Sequence, residues 1–134
     1  LWQNTALFMY MSEYPVEEIL HLQQQVGQEL VPLSPVLFYL YQDNVEVALR
    51  RLFAMRDETS LKADLQMTSK YPWFLSRGLS GFTGWVKFFQ EWQGVAEQLY
   101  DDWPYQKLRV VNAHAAWATV YQQMFQFLYS ELGP

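Results

Sequence analysis

DWPYQKLRVVNAHAAWATVYQQMFQFLYSELG, running from Asp102 to Gly133, decides how the whole chain is read. Pro104 suits the first position of a helix, where its missing N–H costs nothing, and Gly133 is a natural stop. The segment predicts one helix of about 28 residues, about 42 Å long at 1.5 Å per residue. Placed on a wheel at about 100° per residue, His114 falls at the centre of an apolar face. Val110, Val111, Trp117, Ala118, Tyr121, Phe125, Leu128 and Leu132 surround it, while Arg109, Asn112, Thr119, Gln123, Gln126 and Ser130 lie opposite. Lys107 is the exception, and near the helix start its long stem reaches water.

A buried imidazole needs a partner for each nitrogen, because an unsatisfied polar group costs about 1–3 kcal/mol. Burial favours its neutral form. Four readings of His114 follow. It is a core histidine bonded to a tyrosine or a carbonyl, or a polar contact inside an aromatic-lined pocket. It is an axial haem ligand on a long globin-like helix, or a general base. The pocket reading takes His114, Trp117 and Tyr121 from this helix, with Trp85, Phe89 and Trp92 from the one before. No cofactor is expected apart from haem under the third reading.

Size and composition frame these options. A chain of 134 residues is one domain's worth and buries roughly 68–70% of its unfolded surface. Zero cysteines exclude disulfides and thiolate metal sites and lean towards a reducing, cytoplasmic setting. The net charge of −5 is spread without a basic stripe, so no nucleic-acid binding is expected of this segment. No apolar run approaches the ~20 residues of a membrane span. The opening LWQNTALF lacks Met and reads as a piece of something longer. Aromatics reach 18%, with six Trp, nine Tyr and nine Phe, enough for an unusually aromatic core or for a lined cavity.

The rest of the chain also reads as helical. YPVEEILHLQQQVGQEL places Pro15 at a helix start, acids in the first turn, and Val16, Ile19, Leu20, Val26 and Leu30 on one stripe. SPVLFYLY reads as a helix capped by Ser34, with Pro35 in its first turn. DNVEVALRRLFAMR carries a capping box, Asp43 with Glu46. A shorter helix runs from Ser60 towards Lys70. Gly78, Gly81 and Gly84 mark a tight connection. Trp85, Phe88, Phe89, Trp92, Ala96, Leu99 and Trp103 then trace an amphipathic helix. Val and Ile are few, which disfavours sheet. The expectation is a single all-α domain over 1–134: a bundle of five to seven helices with a long C-terminal helix.

No catalytic or metal signature emerges. Glu18 and His21 match a Glu-x-x-His element, but di-iron bundles need a second copy, and Val111 stands where His114 would need its glutamate. His21 reads as a solvated partner of Glu17. Asp101-Asp102 reads as the lead into the last helix, and Arg50, Arg51 and Arg56 as a solvated face. The glycine-spaced segment lacks the Gly-Lys-Ser/Thr ending of a P-loop. The functional expectation is a non-enzymatic binding or regulatory module, taking an apolar or aromatic small molecule or a partner helix. Its size and aromatic lining resemble, at the level of fold, the all-α effector-binding and dimerisation domains of transcription regulators. A second apolar seam (Ala113, Ala116, Val120, Met124 and Phe127) predicts a homodimer built on Val120, Met124 and Phe127.

Overall fold

Val36-Leu37-Phe38-Tyr39-Leu40, expected in a helix, is a strand. In the computed structural model, residues 2–110 and 117–132 are described, apart from the side chains of 3, 40, 110, 117–121, 131 and 132. Most of the chain is helical, as expected. Seven α-helices occur among the described residues: α1 (Trp2–Met11), α2 (Val16–Leu30), α3 (Val45–Met55), α4 (Glu58–Met67), α5 (Pro72–Arg77), α6 (Gly81–Asp102) and α7 (Trp117–Leu132). Between α2 and α3 lies β1 (Val36–Leu40), and between α6 and α7 lies β2 (Gln106–Val110). The strands pair in parallel, Val36 opposite Gln106 and Leu40 opposite Val110.

This sheet corrects the sequence reading in two places. The single helix from Pro104 is replaced by β2 and α7, so the longest helix among the described residues is α6, of 22 residues. The wheel centred on His114 assumed one continuous helix through Val110, which is strand. The reason is burial. A parallel strand covered on both faces reads as an unbroken apolar run, and a run as short as VLFYL does not distinguish strand from helix. One face of the ribbon meets α6: Tyr39 and Tyr100 pack edge to face at 5.9 Å, and Arg109 pairs with Glu97. The other face meets α7, where Phe127 packs edge-on to Phe38 at 6.0 Å.

Aromatic side chains fill the main core. Trp73 and Phe74 of α5 and Phe88 of α6 are almost wholly buried, with Met11, Leu49 and Trp85 around them. Their rings meet mostly edge to face: Trp73–Phe88 at 5.1 Å, Phe74–Trp85 at 5.0 Å and Trp85–Phe88 at 5.8 Å. Such pairs add about 0.5–1.5 kcal/mol each beyond the area they bury. A second cluster, Ala6, Ile19, Val95 and Leu99, joins α1 and α2 to α6. Beside it Gln23, 1% exposed, donates to the Leu99 carbonyl (2.9 Å) and accepts from the Trp2 indole (3.1 Å). Both halves of a buried amide are thus satisfied, and three helices are tied by one side chain.

Helix ends follow local chemistry, with one shift of position. The cap of α3 is Asn44 rather than Asp43, its side chain accepting from the Val47 N–H at 3.1 Å. Asp57 caps α4 through the Ser60 N–H. Gly78 closes α5 at φ 63°, its N–H bonding the Leu75 carbonyl while the Leu79 N–H reaches Phe74. That pair of bonds is a Schellman motif, which needs a left-handed residue. Gly81 also has positive φ and opens α6, so Gly78 and Gly81 mark a tight connection, while Gly84 is a buried residue inside α6.

A Cβ at Gly78 would touch nothing within 4 Å, so Gly78→Ala tests backbone conformation alone. The expected loss is about 1 kcal/mol, read by urea denaturation. Phe88→Ala, which empties the aromatic core, is expected to cost about 3–5 kcal/mol in the same assay.

Candidate functional site

Of the six residues expected to line a pocket, three are described with their side chains. Trp85, Phe89 and Trp92 belong to the core. Trp85 is 5% exposed, stacks on Phe89 at 5.6 Å and donates its indole N–H to the Asp64 carbonyl at 2.8 Å. Trp92 packs on Tyr10 at 5.8 Å. His114 lies outside the described residues. Trp117, Val120 and Tyr121 lie on the first turns of α7, with side chains that also fall outside them. His21 is exposed, and its Nε2 lies 3.2 Å from the Gln25 amide nitrogen; the expected Glu17 is not its hydrogen-bond partner. Arg50 and Arg56 are paired with Glu46 and Asp64. Among the described residues no three of His, Cys, Asp or Glu gather at one place.

The orientation of α7 is the informative observation. Phe127 rests on the sheet, and Met124 and Leu128 on the same side are half-buried. Two of the three residues expected at a dimer seam therefore face inward. The outward side carries Gln122, Phe125, Gln126 and Tyr129, spaced by three, one and three residues. That spacing places them on one stripe of a helix. Phe125 is 60% exposed and Tyr129 65%. With Ser130, these side chains border a shallow open groove. Nothing charged stands on the stripe. The wheel had placed Phe125 on the buried face and left Tyr129 unassigned. The missed signal is the pair of glutamines beside them, polar residues that flank an apolar stripe on its solvent side.

Two polar clusters stand elsewhere. On the sheet's α6 face, the Arg109 guanidinium lies among three tyrosines, 5.1 Å from the Tyr100 ring, 5.7 Å from Tyr39 and 6.0 Å from Tyr41. Lys107 donates to the Tyr100 carbonyl at the C-terminal end of α6, where the helix dipole favours a cation. Burial, followed by the nearby Glu97 carboxylate, pushes the Tyr39 hydroxyl pKa upward. The second cluster latches the end of α1 to α5. Glu13 sits at φ 65° in a Schellman turn, where glycine is usual, and its carboxylate accepts from Ser76 (2.6 Å) and Arg77 (2.8 Å). Arg77 also lies over the Trp73 ring at 4.3 Å. These groups are held by one another, which describes a fastening better than a reaction centre.

No known protein family, curated protein or solved structure matches this chain.

The latch gives a pH dependence of known sign. The Ser76 hydroxyl first, and then Arg77, hold the Glu13 carboxyl below its ordinary 4.5. A lowered folded value means stability that is present above about pH 4.5 and lost as pH falls through the folded value. Arg77→Met is therefore expected to lower stability at pH 7 and to flatten the acid limb of a Tm-against-pH curve. Ser76→Ala is expected to act in the same direction.

Proposed function

We propose that this chain is a non-enzymatic binding module that docks an apolar partner helix along the outward stripe of α7. A single observation carries the reading: two large aromatic side chains, Phe125 and Tyr129, stand more than half exposed, side by side, on an uncharged helix face. Adjacent exposed aromatics cost solubility, and such a patch usually marks an interface. Phe and Tyr combine large area with few rotatable bonds, so little entropy is lost when they are fixed. An amphipathic helix with apolar residues at spacings of three and four complements a stripe of this shape. The partner helix is favoured over a small molecule because Trp85, Phe89 and Trp92 are committed to the core. A dimerisation domain of the regulatory kind that the composition resembles is one natural setting for this surface.

The test is a panel of fluorescent, uncharged amphipathic helical peptides, read by anisotropy. Binding at about 10–100 μM is expected from two anchors of this size. Phe125→Gln with Tyr129→Gln is expected to weaken it at least about tenfold while the circular dichroism spectrum stays the same, since both positions are exposed and Gln is a good helix former. Peptides that ignore the chain, or bind the double variant equally well, would overturn the reading.

A further inference from the structure

Glu13 is a place where the fold accepts a conformational cost. Its φ of 65° belongs to the left-handed region, which a side chain with a Cβ occupies only where its surroundings hold it. What holds it is a cluster drawn from three helices. The Glu13 carboxylate, in the turn that ends α1, accepts from Ser76 and Arg77 of α5. The other arm of the Arg77 guanidinium reaches towards Glu91 of α6, at 3.8 Å. Tyr10, on the last turn of α1, faces the same Glu91. Burial first, and then a hydrogen bond to Glu91, raises the Tyr10 hydroxyl to about 12, so it stays a donor. Tyr10, Glu13 and Glu91 are the titratable groups that face Arg77 here.

The helix that this cluster fastens has little else to keep it helical. At ten residues α1 is too short to be stable alone, and it carries no charged side chain that could pair along its length. Its helicity depends on docking. Met11 enters the aromatic core and Ala6 packs with Ile19 and Val95, both fully buried. Tyr10 covers Phe88 at 6.0 Å and Trp92 at 5.8 Å. Near the other end the Trp2 indole donates to Gln23. A short helix that exists only while docked leaves its seat as a unit. We propose that α1 is a strap: it lifts from α5 and α6 while they stay folded, the Glu13 latch sets how often, and its release uncovers Phe88 and Ile19.

Native-state hydrogen exchange of the whole chain, corrected for intrinsic chemical rates, tests this. In the wild type the amides of α1 are expected to exchange together, at least about tenfold faster than the buried amides of α6. Glu13→Ala removes both accepted bonds at an exposed position, and is expected to raise exchange in α1 at least about fivefold. Glu13→Gly removes the same bonds but suits the left-handed turn, so its rise is expected to be smaller. Acid removes the same charge. As pH falls towards about 3, the gap between wild type and Glu13→Ala is expected to close, because the carboxyl gains its proton below its ordinary 4.5. Amides of α1 that exchange no faster than those of α6, or one after another from one end, overturn the strap. An unchanged rate in Glu13→Ala, an equal rise in both variants, or a gap that stays open in acid overturns the role of the latch.

Discussion

Backbone hydrogen bonds between β1 and β2 set the arrangement of nearly everything C-terminal to the core. Neither strand is stable alone, and a two-stranded ribbon is marginal in water. It persists because α6 covers one face and α7 the other. The residues serve this sandwich with the alternation that a strand imposes. Tyr39 and Arg109, opposite one another in the register, look towards α6, while Phe38 looks towards α7. Had α7 continued from Pro104 as one helix, β1 would have no partner and one apolar face of VLFYL would be left in water.

The helical core was legible because its signals are local. Pro15 stands at the start of α2 and the stripe through Trp85, Phe88 and Leu99 faces inward along α6, whereas the short α5 at Pro72 was not among the expected helices. The strands were not, for two different reasons. VLFYL is too short and too uniformly apolar to show any period. QKLRV does alternate, with Lys107 and Arg109 on one side and Leu108 and Val110 on the other, but the helical pattern after it drew the segment into one long helix. The pairing itself joins residues about seventy positions apart, and nothing local announces a contact of that range.

The candidate site was half legible for the same reason. The wheel identified α7 as apolar on more than one side, but it was centred on His114, outside the described residues, and ran through Val110, which is strand. Phe127 therefore exchanges roles with Phe125: the former is anchored on Phe38 and the latter stands in solvent. The abundance of aromatics, read as a possible cavity lining, is explained by edge-to-face packing among Trp73, Phe74, Trp85 and Phe88. Interlocking rings of this kind make a dense interior around Phe88.

The long separation of β1 from β2 also orders the events of folding. Helices α3 to α6 lie within the loop that the two strands close, and their contacts with one another are close in sequence. Such contacts form early, while closing a loop of this length costs entropy that only an existing platform repays. The C-terminal half of α6 is that platform. The sheet is therefore expected to form on it late, with α7 docking through Phe127 onto Phe38. During synthesis β1 precedes α3 to α6 and β2 follows them, so β1 stays without its strand partner until the helices between them have been made.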